Sequence, residues 1–130
     1  AHMCQHGWRI VPSVRLVEPA MYRAFIQASC GEFTVAKDQN IRLRSGWFSD
    51  RSACYLAAGR PVITQDTGFG NILPTGKGLF AFTTEDEALD AMQMVARDYA
   101  CHAAAARDIA HDFFAAERVI SAVLCRIGLL

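Results

Sequence analysis

The sequence has 130 residues, 52% of them hydrophobic, and its thirteen basic side chains balance thirteen acidic ones. A chain of this size buries roughly two-thirds of its unfolded surface, which favours one globular domain and argues against disorder. The neutral balance argues against a general nucleic-acid binder. No apolar run approaches the roughly 20 residues that span a bilayer, and no signal peptide opens the chain, so we expect a cytoplasmic protein without a membrane span.

The first residues, Ala1-His2-Met3, are typical of a cloning remnant. Native sequence is then expected over residues 4–130, as one domain. Because it would begin in mid-pattern without its own start methionine, we expect the chain to be an excised part of a longer protein.

The cysteines and histidines do not predict a metal site. The five cysteines are widely spaced and form no C-x-x-C pair, so we interpret them as reduced thiols, several of them buried. His102 and His111 fall in a helical region, where we expect them to be solvated or half-buried.

Four short strands are predicted, over residues 7–11, 32–36, 61–64 and 79–82. The third should be buried on both faces, because its apolar residues are consecutive. Residues 37–47 are predicted to be a loop, with an extended piece at 41–43.

Helices are predicted between and after these strands. They begin at Pro19, after an N-cap at Ser49, and at a capping box formed by Thr84 and Glu87. Two more follow, over residues 101–114 and around 120–127. Ala88, Leu89, Met92, Val95, Ala96 and Tyr99 are expected to form the apolar face of the helix after Thr84.

Alternating strands and helices indicate an α/β fold, a Rossmann-like three-layer structure around a parallel sheet. Ligands of such sheets bind beyond the carboxyl ends of the strands. Three segments should therefore converge on one edge: Lys37 with the residues after it, the segment 45–52 and the loop 66–71.

The segment 45–52 is a candidate anion site. Its glycine turn leads into a capped helix N-terminus, whose free backbone N–H groups suit a phosphate. Positive charge would come from Arg51 and from nearby Lys37, Arg42 and Arg44. The alternative is that Ser49 and Asp50 only cap the helix and that Arg51 is solvated.

Two further features have both a functional and a structural interpretation. Asp66, Thr67 and Gly68 directly follow a buried strand, which suits either a ligand-facing loop or an ordinary Asx turn. Trp47 and Phe48 could stack on a base or sugar, or they could belong to the core.

The order of motifs resembles the nucleotide-sugar-binding half of GT-B glycosyltransferases of the broad group-1 family. The resemblance covers residues 32–114, through Ala57-Ala58-Gly59-Arg60-Pro61-Val62, Asp66-Thr67-Gly68, Gly78-Leu79 and the helices from Thr84 onward. The run Gly46-Trp47-Phe48-Ser49-Asp50-Arg51-Ser52 is similar to that of a bacterial branch of this family.

One departure from the family bears on activity. The family carries two glutamates eight positions apart, the second of which usually bonds the donor ribose, and Gly46 and Cys54 stand at these positions here. Asp50 is the neighbouring carboxylate that could take over one role.

The resemblance implies the donor-binding C-terminal part of a glycosyltransferase, with a nucleotide-diphosphate sugar as substrate and no cofactor or metal. The implied donor-binding residues are Lys37, Gly46, Trp47, Phe48, Ser49, Asp50, Arg51, Asp66, Thr67 and Gly68. The acceptor domain would precede this chain, and catalytic residues are not implied. Alternatives are a GT-B-derived binding or scaffold domain without transfer chemistry and a free-standing flavodoxin-like or receiver-like domain.

Overall fold

The computed structural model describes residues 2–129, so Ala1 of the predicted cloning remnant lies outside the described residues. The strands are β1 Glu32–Thr34, β2 Val62–Gln65 and β3 Leu79–Phe82. The helices are α1 His2–Gln5, α2 Pro19–Ala28, α3 Asp38–Arg42, α4 Asp50–Ala57, α5 Glu85–Arg97, α6 Tyr99–Phe114 and α7 Ala116–Arg126. Short 3-10 turns lie at Ser13–Leu16 and Phe69–Asn71.

The three strands form one parallel sheet in the order β1-β2-β3. Thr34 stands opposite Thr64, and Gln65 stands opposite Phe82, so the carboxyl ends of the strands share one edge. The α/β class with a parallel sheet is therefore confirmed.

The strand predicted over residues 7–11 is wrong, because these residues form no strand. Trp8 and Ile10 are each 58% exposed. A strand needs a neighbour that satisfies its backbone N–H and C=O groups, and an apolar pattern does not supply one. The extended piece predicted at 41–43 is also wrong, since Ile41 and Arg42 belong to α3.

The face of the sheet toward α4 and α6 holds the larger core. Leu56 of α4, Val62 of β2, Leu79 of β3 and Ala106 of α6 are all fully buried here. Ile26 of α2 adds to the same cluster, because α2 packs beside α4. Burial of each Leu or Val side chain contributes about 1.5–3 kcal/mol.

The opposite face is covered by α5. Ile63, Phe80 and Phe82 pack there against Ala88 and Ala91. Helices on both faces give the expected three layers, and β2 is buried on both sides as predicted. The cover is partial: the exposed large apolar side chains near β1 on this side are Phe33, Val35, Leu89 and Met92. The apolar face predicted for α5 is thus partly open. Its last predicted member, Tyr99, instead begins α6, because α5 ends at Arg97.

Local signals set the helix starts. Ser49 caps α4, and Thr84 and Glu87 form the predicted capping box of α5. Pro19 stands at the first position of α2. None of the helices within residues 2–129 combines the length and apolarity needed to cross a membrane.

The histidine and cysteine predictions need correction. His102 is buried: its ring packs on Phe80, and its Nδ1 accepts a hydrogen bond from the Gly78 N–H (3.3 Å). His111 is exposed. All five cysteines are free thiols, as expected, yet they are not core residues. Cys101 is half-buried, and the exposed ones are Cys4, Cys30, Cys54 and Cys125.

Candidate functional site

A cavity of about 260 Å³ lies at the carboxyl ends of β1 and β2, where the fold places ligand sites. Three parts of the chain line it: the end of β1 with the residues that follow it into α3, the segment before α4 with the first turn of that helix, and β2 with Thr67 beyond it. Its lining residues are Thr34, Val35, Ala36, Lys37, Gln39, Asn40, Trp47, Ser49, Arg51, Thr64 and Thr67.

Half of the predicted site residues meet at this cavity. Lys37, Trp47, Ser49, Arg51 and Thr67 line it. The predicted residues outside the lining are Gly46, Phe48, Asp50, Asp66 and Gly68.

The N-terminus of α4 is partly occupied by its own caps. The Arg51 N–H donates to Ser49 Oγ (3.2 Å) and to Asp50 Oδ1 (2.9 Å), so the Asp50 carboxylate already meets the positive end of the helix. The N–H groups of Phe48, Ser49 and Asp50 make no hydrogen bond to any residue in the range 2–129. Of these three residues, Ser49 lines the cavity, whereas Phe48 and Asp50 do not.

The side chain of Arg51 is fixed rather than solvated. Its Nε donates to Glu32 Oε1 (2.5 Å), and its Nη2 donates to Thr34 Oγ1 (2.8 Å). The hydrogen bond with Glu32 raises the pKa of Arg51 above its ordinary value, against the opposing effect of burial. Arg51 nevertheless stays 49% exposed and lines the cavity.

Two of the four predicted cations belong elsewhere. Arg42 pairs with Asp38 within α3 (3.6 Å), and Arg44 pairs with Asp66 (3.0 Å); neither lines the cavity. Among the described residues, Lys37 and Arg51 supply its positive charge.

The polar side chains of the loop after β2 form hydrogen bonds within the protein, most of them to the segment before α4. Asp66 bonds Arg44 through Oδ2 and accepts the Gly68 N–H through Oδ1 (2.8 Å). Thr67 Oγ1 donates to the Trp47 carbonyl (2.6 Å), and the Thr67 carbonyl accepts the Gly46 N–H (2.9 Å). These bonds fasten the segment before α4 to the carboxyl end of β2.

Trp47 and Phe48 differ in burial. Phe48 is half-buried against Phe69 and Phe114, with ring centroids 5.3 and 5.6 Å away, and belongs to the core. Trp47 is 55% exposed at the cavity, where its ring is free to stack on a ligand.

Sequence reasoning missed several cavity residues. Thr34 and Thr64 occupy matching positions on neighbouring strands, and Gln39 and Asn40 come from α3, which the polar composition of this segment concealed. Glu32 was missed as the partner of Arg51, since nothing local marks a carboxylate nineteen positions away. Alternation along β1, which puts residues 32 and 34 on one face, was the available signal.

Gly46 and Cys54, the positions without the glutamates expected from the resemblance, lie outside the cavity lining. Gly46 is an exposed turn residue with φ of +72°. Cys54 lines a groove between α2 and α4, next to Tyr22. The pKa of the Tyr22 hydroxyl is raised there, mainly by burial and secondly by the nearby Cys54. Within residues 2–129, no three or more His, Cys, Asp or Glu side chains form a cluster that could hold a metal ion.

The site is thus a small cavity at the carboxyl edge of a parallel sheet, lined by two cations, several hydroxyl and amide groups and one exposed indole ring. Comparison of the chain with protein-family models, with curated proteins and with solved structures finds no match in any of the three.

Proposed function

We propose that this chain is the donor-binding portion of a GT-B-like glycosyltransferase, which transfers a sugar from a nucleotide-diphosphate donor to an acceptor held by a preceding domain. The observation that supports this is the cavity at the carboxyl edge, where Lys37 and Arg51 stand beside the exposed ring of Trp47. The same proposal places the protein in the cytoplasm and treats the sheet as part of a larger Rossmann-like sheet.

The cavity suits a diphosphate. The guanidinium of Arg51 and the ammonium of Lys37 pair with phosphate oxygens, the first in a planar fork and the second as a point charge. Hydroxyl groups of Ser49, Thr34 and Thr64 lie around the same space. No Asp or Glu is among the lining residues, so no negative charge of the lining repels a phosphate.

The size of the cavity limits what it can enclose. A volume of about 260 Å³ is below the roughly 300–1,000 Å³ typical of sites that enclose a whole small-molecule ligand. We therefore assign the cavity to the diphosphate with a neighbouring ring, and Trp47 to stacking on the base or the sugar. Transfer would be assisted electrostatically, by cations that stabilise the departing nucleoside diphosphate.

The experiment is isothermal titration of UDP, GDP and ADP into the full-length protein and its Arg51→Ala variant. We expect one nucleotide to bind, and Arg51→Ala to weaken it about tenfold, since a hydrogen bond to a charged group contributes about 1.5–3 kcal/mol. Arg42→Ala is the matched control, because Arg42 lies outside the cavity lining. If none of the three nucleotides binds, the proposal is wrong.

A second candidate is a GT-B-derived binding domain that has lost transfer chemistry. It is favoured by Gly46 and Cys54, which provide no carboxylate, and by Asp50, whose carboxylate is engaged in capping α4. Sugar transfer by the intact protein would eliminate it, whereas nucleotide binding without transfer would support it.

A further inference from the structure

A buried carboxylate stands behind the cavity at the start of β1. The side chain of Glu32 is 5% exposed, and its Oε1 accepts the Nε–H of Arg51 at 2.5 Å. Its Oε2 is buried and has no hydrogen-bond partner among the residues that the structure describes. Arg51 is therefore the hydrogen-bonding partner that holds this charge inside the protein.

The geometry of the pair differs from that of an ion pair built for stability alone. A guanidinium and a carboxylate commonly meet through two parallel hydrogen bonds, which satisfy both carboxylate oxygens. Here only one oxygen of Glu32 is used, and the Nη2 of Arg51 donates to Thr34 Oγ1 at 2.8 Å instead. Because Thr34 lines the cavity and Glu32 lies two residues earlier on the same face of β1, the guanidinium extends from the buried carboxylate toward the cavity.

This arrangement leaves donors for a ligand. A guanidinium has five N–H donors; Glu32 and Thr34 engage two, so three are left. Arg51 is 49% exposed although one end of its guanidinium is anchored in the interior. An arginine fixed in this way loses less side-chain entropy when it binds an anion than a freely rotating one.

We propose that Glu32 is a positioning residue, whose buried carboxylate, together with Thr34, holds the guanidinium of Arg51 as a preset fork for a phosphate group in the cavity. The inference rests on the proposed function, because it requires a phosphate-bearing ligand at this site. Glu32 acts through Arg51 and does not itself line the cavity.

Two opposing effects of Glu32 make the test decisive. Its negative charge lowers the affinity of the cavity for an anion, whereas its hold on Arg51 raises that affinity. If positioning dominates, Glu32→Gln weakens anion binding, even though the variant removes a negative charge. If charge dominates, the same variant strengthens it.

Inorganic pyrophosphate is the probe, titrated calorimetrically into the chain and four variants. We expect Arg51→Ala to weaken binding about tenfold. Glu32→Gln should weaken it about threefold, because glutamine can still accept the Arg51 Nε–H but holds it without the charge attraction. The double variant should bind no more weakly than Arg51→Ala alone, because Glu32 has nothing left to position. Arg51→Lys should not restore wild-type affinity, since an ammonium keeps the charge without the fork.

Arg44→Ala is the matched control. Arg44 also pairs with a carboxylate, at 3.0 Å from Asp66, but it does not line the cavity, so we expect wild-type affinity within about twofold.

The outcomes separate the inference from the function on which it rests. No pyrophosphate binding by the wild-type chain would overturn both. Binding that Arg51→Ala weakens, but that Glu32→Gln leaves unchanged or strengthens, would overturn the role of Glu32 and leave the function standing. Wild-type affinity in Arg51→Lys, or an additional loss in the double variant, would also count against positioning.

A measurement on the wild-type chain covers the case in which Glu32→Gln does not fold. In side-chain ¹H–¹⁵N spectra, the Nε–H of Arg51 should exchange slowly with solvent before any ligand is added. Pyrophosphate should then shift the Nη signals and leave Nε in place. Fast exchange of Nε–H in the free chain would mean that the guanidinium is not preset, and the inference would be wrong.

Discussion

The loops that follow β1 and β2 reach the same edge of the sheet and use their polar groups in opposite ways. After β2, the side chains of Asp66 and Thr67 bond Arg44, the Gly68 N–H and the Trp47 carbonyl. After β1, Lys37 has no ion pair within residues 2–129 and faces the cavity. One loop fastens the edge together, and the other leaves charge available to a ligand.

The difference shows why composition alone is a poor guide to function. Asp-Thr-Gly directly after a buried strand has the residues of a ligand loop, yet its two polar side chains form hydrogen bonds to Arg44, Trp47 and the loop's own backbone. It still shapes the cavity, because Thr67 lines it and holds the backbone of Trp47 in place. We therefore expect changes after β2 to act first on stability and changes after β1 to act first on ligand affinity.

The largest loss of stability is expected for Thr67→Val. Thr67 is 1% exposed and donates to the Trp47 carbonyl at 2.6 Å; valine keeps its shape and loses that bond. We expect a loss of about 2 kcal/mol in the free energy of unfolding, measured in urea. Thr75→Val, at an exposed threonine, is the control. Equal midpoints of urea unfolding for the two variants would mean that the Thr67 hydrogen bond does not stabilise the loop.

The next largest loss of stability is expected for Gly68→Ala. Gly68 has a φ of +94°, and an added Cβ would lie 3.3 Å from the Arg44 carbonyl oxygen. We expect a loss of about 1–2 kcal/mol, because a side chain is strained in the left-handed region. Gly70→Ala is the matched control, since Gly70 has no left-handed φ and its nearest contact would be 3.6 Å away. Equal losses in the free energy of unfolding for the two substitutions would contradict this prediction.

A smaller effect is expected for Asp66→Asn. Asparagine can still accept the Gly68 N–H through its Oδ1. Its Nδ2 replaces the oxygen that accepts from Arg44, so the ion pair and its hydrogen bond are lost. Because Arg44 is 61% exposed, we expect about 0.5–1 kcal/mol at low salt, and most of it should vanish near 1 M salt. Asp38→Asn should lower the free energy of unfolding by less, since the Asp38–Arg42 pair is longer and more exposed. A loss that persists in high salt would contradict this explanation.

Much of the fold followed from local signals in the sequence. The capping box at Thr84 and the cap at Ser49 are both present, because each depends on neighbours within a few positions. The strand β2 is also present and buried on both faces, as its consecutive apolar residues predicted. The strand predicted at 7–11 is absent, since a strand depends on a partner from elsewhere in the chain.

The candidate site was predictable as a location but not as a network. Rules for parallel sheets correctly brought Lys37, Arg51 and Thr67 to one edge. They could not predict that Arg51 would turn toward Glu32 or that Asp66 would engage Arg44, because both contacts join segments far apart in the chain. These pairings decide which arginine lines the cavity.

Lys37→Ala should have the smallest effect on stability and completes the comparison. Lys37 is exposed and has no ion pair within the described residues, so the urea midpoint should stay at its wild-type value. Its ammonium lines the cavity, so pyrophosphate affinity should fall roughly fivefold at low salt, and less as salt screens the charge. Lys77→Ala, which removes an exposed lysine outside this cavity, is the control and should change neither quantity. A change in stability without a change in affinity would reverse the roles assigned to the two loops.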